Sequence, residues 1–343
     1  MPKQTADYEE QMLRAAELYY YGDYTQAEAA EKLGVTRWTV GRLLDDARKT
    51  GIVRIVIDHP RARRHELEVR LRQEYGLREV IVLPSQPSSA ITLRSVCSAA
   101  AMHLASIRPS VRRIAVSWGR TVAAVAAELP NGWTRGIEVV QTNGGPTVTQ
   151  GNPVGESLYA LAEKGGGSVR SLAGPTILED ARVARLLRSD GSIAGTLKAA
   201  EACRVMLYSP GSVSPDDSVL VRSGYLTAEQ MRLMEESGAV GDVMSHFITI
   251  DGKIADPGLD ARTLSMNLDA VERCPNAIVV AAGARKALAT RAAVTAGLCT
   301  TLIVDGVIAT ALLEAHPQTH EEDRRNLTRT DTPTHPEERK ELS

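Results

Sequence analysis

Few folds accommodate the stretch Thr25 to Gly51, TQAEAAEKLGVTRWTVGRLLDDARKTG. It reads as two short helices joined by a turn, because each position answers a separate steric demand. Ala30 is small enough for two helix backbones to approach, and Gly34 can take the positive φ that a tight inter-helix turn requires. Thr36 fits the N-cap of the second helix, from which Val40 and Leu43 point back into a core. The spacing is that of a helix-turn-helix. Its exposed N-terminal face would carry Thr36, Arg37, Trp38, Thr39 and Arg42, the residues placed to enter the major groove of double-stranded operator DNA. Arg37 and Arg42 have the length and donor geometry to reach a guanine edge. Trp38 has two open readings, contact with a thymine methyl and its sugar, or packing inside the hairpin. An αα-hairpin in a helical enzyme domain would instead leave the two arginines as a solvated face.

The flanks favour the first reading. Asp7 to Tyr21 carries Met12, Ala15, Ala16, Tyr19 and Tyr20 at helical spacing, a first helix for a three-helix unit; its tyrosines read first as core and rim packing and second as a stacking platform for bases. Ile52 to Ile57, IVRIVI, reads as a strand that would form a wing and add Arg54 to the DNA contacts. The formal net charge of the chain is only −2. Yet Lys32, Arg37, Arg42, Arg48, Lys49, Arg54, Arg61, Arg63 and Arg64 outnumber Asp45, Asp46 and Asp58 along this stretch. A basic footprint confined to one small domain suits phosphate contacts, which position a protein on DNA and make binding salt-dependent. His65 to Tyr75 spaces Leu67 and Leu71 four apart, a connecting helix able to pair with its copy in a second subunit. The expected boundaries are a winged helix-turn-helix over 1–58, a linker helix over 59–76 and an effector domain over 77–315. The polar, proline-punctuated remainder, 316–343, is expected to be disordered.

A chain of 343 residues, 43% of them hydrophobic, has room for a large second core. Nothing approaches the length of a membrane span. The acidic N-terminus MPKQTADYEEQMLRAAEL reads as neither signal nor transit peptide, so a cytoplasmic protein is expected. Cys97, Cys203, Cys274 and Cys299 are scattered without a CxxC pair, as small buried hydrophobes of a reducing compartment. No zinc site, other metal or cofactor is expected; His316 and His320 have suitable spacing but lie in the polar tail.

From Glu79 onward short β-branched runs alternate with alanine-rich helical segments, the pattern of an α/β domain with a mainly parallel sheet. The spacing predicts strands over 79–83, 113–117, 137–141, 168–172, 204–209, 277–283 and 300–304. In such sheets ligands sit beyond the carboxyl ends of the strands. Three loops lie there. Ser117, Trp118, Gly119, Arg120 and Thr121 open a helix with backbone N–H groups, two hydroxyls and a guanidinium, a cradle for a phosphate or a polyhydroxyl group. Asn143 and Gly144, in QTNGGP, suit sugar hydroxyls. Gly283 to Lys286 brings cations to the same edge. Asp251 and Asp256, in DGKIAD, offer carboxylates to a polyol, although Asp-Gly is also the commonest hairpin turn. Any one of these loops has a purely steric explanation as a strand–helix junction.

Taken in order, the helix-turn-helix, the wing, SWGRT after a strand, NGG, DGKIAD, AAGARKALATRAAVTAG and TLIVDGVIATALL resemble the SorC family of sugar-responsive bacterial transcriptional regulators. The resemblance runs from about residue 10 to residue 314. It implies a winged helix-turn-helix joined to an effector domain similar in fold to ribose-phosphate isomerases and glucosamine-phosphate deaminases. It further implies that the SWGRT loop and Lys286 hold a phosphate or terminal hydroxyls, and that Asn143, Gly144, Asp251 and Asp256 line the sugar. The family's usual assembly is a tetramer of paired dimers, so a homo-oligomer, tetramer or dimer, is expected. The chain departs from the family at Tyr208, Ser209, Pro210, Gly211 and Ser212, where a glycine-rich turn is usual. It also lacks a lysine before Gly144, which removes support for a covalent imine at that loop. The function implied is that of a non-enzymatic regulator, a repressor by first reading and an activator by second, controlled by a sugar phosphate or polyol. A sugar-phosphate isomerase or deaminase is the rival.

Overall fold

Apolar residues recurring at helical spacing shape the first segment, and short continuous apolar runs between alanine-rich helices shape the second. The computed structural model describes residues 2–53, 63–145 and 153–315, and the chain divides into two units between His59 and Pro60. In the first unit, α1 (Pro2–Ala16) runs into a π-helical turn (Glu17–Tyr21), followed by α2 (Gln26–Leu33) and α3 (Arg37–Lys49). Thr25 starts α2 through a reciprocal capping box with Glu28, and Thr36 accepts the Thr39 N–H at 3.1 Å to start α3. Gly34, between the two, sits at φ 66°, a left-handed conformation that costs other residues about 1–2 kcal/mol. Met12, Ala15, Ala16, Ala29, Ala30, Val40, Leu43, Leu44 and Ala47 close into one small core. The Tyr8 hydroxyl ties α1 to α3 by donating to Asp46 at 2.9 Å. Tyr24 packs against this core, whereas the wider π-helical turn leaves Tyr19, Tyr20 and Tyr21 exposed. Ile52 and Val53 also pack on the core; the rest of the expected wing, Arg54 included, lies outside the described residues.

The second unit has helices on both faces of a sheet. They are α4 (His65–Tyr75), α5 (Ser89–Ser106), α6 (Arg120–Glu128), α7 (Pro153–Lys164), α8 (Ala181–Ser189), α9 (Gly191–Glu201), α10 (Val219–Arg222), α11 (Ala228–Glu236), α12 (Pro257–Asp260), α13 (Leu268–Glu272), α14 (Ala287–Thr295) and α15 (Gly306–Glu314). The strands are β1 (Glu79–Leu83), β2 (Arg113–Val116), β3 (Glu138–Gln141), β4 (Ser168–Arg170), β5 (Met206–Tyr208), β6 (Ala239–Val243), β7 (His246–Thr249), β8 (Ala277–Ala281) and β9 (Thr301–Asp305). Seven of them form one sheet in the order β1-β9-β8-β5-β2-β3-β4, and every neighbouring pair is parallel. All seven fall within the runs expected from sequence, apart from an offset of one residue at β9.

Successive residues of a strand point to opposite faces. Val80, Val82, Met206, Val279, Leu302 and Val304 enter one core with α9, α14 and α15. Ile81, Leu207, Ile278, Val280 and Ile303 enter the other with α5 and α6. Cover on both faces explains why the strands read as continuous apolar runs. The antiparallel hairpin β6-β7 stands apart from this sheet.

Leu67 and Leu71, spaced for pairing of α4 with its copy, turn inward instead. Leu71 is completely buried and Leu67 packs beside it, in the same core as Val80, Val82 and Leu312. The Glu68 carboxylate, 3% exposed, accepts from Arg63 Nε at 2.7 Å, His65 Nδ1 at 2.9 Å and the Val82 N–H at 2.9 Å. Arg64 N–H completes the attachment by donating to the Val82 carbonyl at 2.8 Å. These bonds cover the free edge of β1, which would otherwise offer unpaired backbone groups. The Leu67–Leu71 spacing therefore reports burial within one chain. Leu71→Ala should cost about 2–5 kcal/mol in denaturant unfolding. A loss below about 1 kcal/mol, accompanied by weaker self-association, would return α4 to a contact between subunits.

Candidate functional site

Parallel strands bring their following loops to one edge. The chain proceeds from β2 to β3 and β4 on one side and returns through β5, β8 and β9 on the other, so the β2/β5 boundary is the topological switch point. A crevice opens at such a point. The SWGRT loop follows β2 there, Ser209 follows β5, and the Gly283–Lys286 loop follows the adjacent β8.

Lys286 projects into this place. Its ammonium donates to Ser209 Oγ at 2.6 Å and to Thr121 Oγ1 at 3.1 Å. Burial pulls its pKa down from 10.5 to about 8, against the opposing influence of the Asp242 carboxylate. The same burial pushes the Asp242 carboxyl upward, offset by a hydrogen bond from Ser245 N–H and by the Lys286 charge. Close packing is needed for this arrangement. A β-carbon on Gly211 would lie 1.8 Å from Asp242 Oδ1, so only glycine admits the carboxylate.

Asp242 and Ser245 come from the β6-β7 hairpin, whose two-residue turn holds Met244 at φ 52° and Ser245 at φ 72°. Two consecutive positive φ values make a type I′ turn, ordinarily Asn-Gly. Met and Ser pay about 1–3 kcal/mol each in strain there, and both are buried. The return is orientation. Ser245 N–H reaches Asp242 Oδ2 at 2.9 Å, and Ser245 Oγ accepts from Asn143 Nδ2 at 3.0 Å. Hydrogen bonds thus link the loop after β3 to Asp242, whose charge in turn acts on Lys286.

Two further cations line the edge. Arg120 lies 3.7 Å from Asp217, and Arg285 bonds the other oxygen of the same carboxylate at 2.5 Å. Gly119, at φ 146°, is the N-cap of α6 and leaves its first turn without a side-chain cap. Uncapped N–H groups, the helix dipole, Arg120 and Lys286 together favour an anion. Asp305 steadies the neighbouring loop, accepting from Gly283 N–H at 3.2 Å while capping α15 through Ile308 N–H at 3.1 Å.

The residues expected from sequence divide into three groups. Ser117, Gly119, Arg120, Thr121 and Lys286 meet at the switch point, although Ser117 Oγ turns back to the Trp118 carbonyl at 3.3 Å. Asn143 and Gly144 lie beside it but serve packing. Asn143 is 2% exposed and engaged by Ser245 and Thr142. Gly144 lies against the Pro175 carbonyl, and its own carbonyl accepts from Trp118 Nε1 at 2.6 Å. The acidic loop is displaced. Gly252 abuts Ala296 at the far end of α14 from Lys286, about 14 Å along that helix, so Asp251 occupies a turn and does not line the site. Asp256 caps α12 by accepting from Gly258 and Leu259 N–H groups, and it is Asp260 that reaches the hairpin, bonding His246 Nδ1 at 2.5 Å. Asp242, Ser245, Asp217 and Asp305 were not singled out in the sequence. The Asp-Gly step after the β9 run is the local signal that could have marked Asp305 as a cap.

On the first unit, Arg37, Trp38 and Arg42 are exposed along α3, while the Thr36 and Thr39 hydroxyls bond each other at 2.9 Å. Among the described residues, no group of three or more histidine, cysteine or acidic side chains could hold a metal ion, and no helix is long and apolar enough to cross a membrane.

Comparison with known proteins places this arrangement among relatives. Residues 59–314 match the family described as "Putative sugar-binding domain". The deoxyribonucleoside regulator of Bacillus subtilis (strain 168) is 31% identical over 311 residues, covering 90% of this chain and 99% of that one. The transcriptional regulator LsrR of Enterobacter sp. (strain 638) is 28% identical over 310 residues, covering 89% and 93%. The crystal structure of the full-length sorbitol operon regulator SorC from Klebsiella pneumoniae superposes with a TM-score of 0.67 at 25% identity, covering 90% of this chain and 99% of that one.

The partly desolvated ammonium has a measurable signature. Below about pH 8 Lys286 is charged folded and unfolded, and folding bears its desolvation; between about 8 and 10.5 the folded chain alone has lost the proton. The unfolded state then binds more protons, so this contribution to stability rises with pH. Unfolding free energies of wild type minus Lys286→Met should climb through that window. A flat difference would mean that the ammonium keeps its water.

Proposed function

Since the chain belongs to the SorC family of sugar-binding transcriptional regulators, we propose that it represses transcription from operator DNA and is released by a phosphorylated sugar bound at the β2/β5 switch point. The observation that carries the ligand class is Lys286, desolvated between Thr121 and Ser209 beside the uncapped start of α6. A phosphate there would accept from α6 N–H groups and Arg120 and give Lys286 a second counter-charge. The carboxylates at this edge already have partners in backbone N–H groups, guanidinium groups or the Lys286 charge, which supports a binding role over general acid/base turnover. The protein would act in the cytoplasm as a homo-oligomer, matching paired half-sites.

DNA recognition falls to α3. Its N-terminal half exposes Arg37, Trp38 and Arg42 on a unit held together by α1 and α2. Effector control needs only a difference in DNA affinity between ligand-bound and free states. A typical coupling of about 1–3 kcal/mol changes affinity roughly 5- to 150-fold. The path we favour runs from the Lys286 loop through Asp305 to α15, and from the Leu312 carbonyl of α15 to the Tyr75 hydroxyl of α4 at 2.9 Å.

Thermal unfolding against ribose, deoxyribose and hexitol phosphates and their uncharged counterparts tests the ligand. A phosphorylated compound should raise the midpoint by mass action, and Arg120→Ala or Lys286→Ala should remove that shift while leaving DNA retention intact. A shift by uncharged polyols alone would overturn the phosphate assignment. Arg37→Ala with Arg42→Ala should abolish retention of operator-bearing DNA and spare the ligand response. Tyr75→Phe should narrow the ratio of DNA affinities with and without ligand, each binding step alone being little changed; an unaltered ratio would exclude this path.

A further inference from the structure

Trp38 is the largest apolar side chain left in water on the first unit, 73% exposed. Among the described residues it is not part of the first unit's core, which favours an outward role over packing inside the hairpin. What it does touch is Arg42, one turn further along α3, whose guanidinium carbon stands 5.2 Å from the indole centroid. Spacing of four residues puts the two side chains on one helical face, and a guanidinium stacked on an aromatic ring keeps its edge donors free.

Two more observations mark this face for docking. The acidic residues of α3 are already paired, Asp45 with Arg48 and Asp46 with Lys49 and Tyr8. Arg37 and Arg42 form no salt bridge among the described residues. The face thus presents unpaired positive charge around an apolar ring, along an open groove of about 630 Å³. Gly41 lies in that groove, where an added β-carbon would meet nothing closer than Gln26 Oε1 at 3.8 Å. Glycine inside a helix costs about 1 kcal/mol relative to alanine. No internal packing demands it here, so its use is a flat surface for close approach from outside.

Resting on the DNA-binding reading above, we propose that Trp38 and Arg42 form one stacked unit that reads a thymine–guanine step in the major groove. Arg42 donates through its guanidinium edge to O6 and N7 of guanine, while the indole takes the C5-methyl of the adjoining thymine. The stack fixes Arg42 before DNA arrives, reducing the side-chain freedom lost on binding. Thymine is favoured over cytosine at this position because only thymine offers a methyl to an apolar ring.

Full-length protein selected against a pool of randomised duplexes should enrich a thymine–guanine step, or its complement, in each half-site. Replacing that thymine by deoxyuridine, which removes only the methyl, should weaken wild-type binding about three- to tenfold. The same replacement should leave Trp38→Ala unaffected and retain part of its effect on Trp38→Phe. Trp38→Ala should keep the wild-type salt dependence, because no phosphate contact is lost. Equal sensitivity of wild type and Trp38→Ala to deoxyuridine, or enriched duplexes without thymine beside guanine, would overturn the stacked unit. Failure of wild type to enrich any sequence would overturn the DNA-binding reading itself.

Discussion

Lys286 reaches Thr121 and Ser209 only by giving up much of its water, and other parts of the second unit are shaped by that requirement. An ammonium buried without a counter-charge costs several kcal/mol. Asp242 supplies the charge, and the absence of a β-carbon at Gly211 gives it room. The type I′ turn at Met244 and Ser245 then aims a backbone N–H at the carboxylate, at the expense of strain that Asn-Gly would not carry. Even so, the compensation is partial, since Lys286 is still displaced towards its neutral form and Asp242 towards its own. On the proposed reading, an anion seated at the start of α6 would complete the balance. Ligand affinity would then draw on charge that the fold has already desolvated, with little new ordering at the moment of binding.

The sheet and the first unit were legible because their signals are local and redundant. β-branched runs between alanine-rich segments marked each of the seven parallel strands, and Ala30, Gly34, Thr36, Val40 and Leu43 take the positions their side chains require. The loops after β2 and β8 followed from the strands, and with them Arg120, Thr121 and Lys286. What stayed hidden depends on contacts between distant residues. Nothing in GDVMSHF announces a strained turn, because Met and Ser are poor candidates for positive φ and adopt it only when tertiary packing compels them. Asp251, Asp256 and Asp242 are all acidic residues within two positions of a glycine, and only the first two were singled out. Three-dimensional placement separates them, one in a turn, one at a helix cap, and one beside the ammonium. The Leu67–Leu71 spacing was ambiguous for a similar reason, since a four-residue apolar repeat fits a coiled coil and a sheet edge alike.

The attachment of α4 to β1 bears on how a signal leaves the site. Glu68 and Arg64 tie the start of α4 to the backbone of Val82, and Tyr75 ties its end to α15. α15 in turn begins at Asp305, the residue that holds the Gly283 N–H of the lysine loop. A helix fastened at both ends to elements bordering the ligand edge responds to their displacement as a rigid body. A coupling path requires this property, and side-chain contact by itself does not supply it.

The near-zero net charge conceals two different uses of arginine and lysine. In the second unit Arg120 and Arg285 share Asp217, and Glu138 is held between Arg113 and Arg170. Each carboxylate offsets one of its two guanidinium groups, so most of the charge is spent within hydrogen-bonding range. On α3 the acids are paired within the helix, which leaves Arg37 and Arg42 to act outward. Unpaired surface charge attracts a polyanion over a Debye length of about 8 Å at physiological salt and weakens steeply as salt rises. Charge held in a partly desolvated crevice is screened much less. Salt should therefore loosen the DNA contact while leaving the ligand contact comparatively firm, a separation that the total of 40 basic and 42 acidic residues cannot reveal.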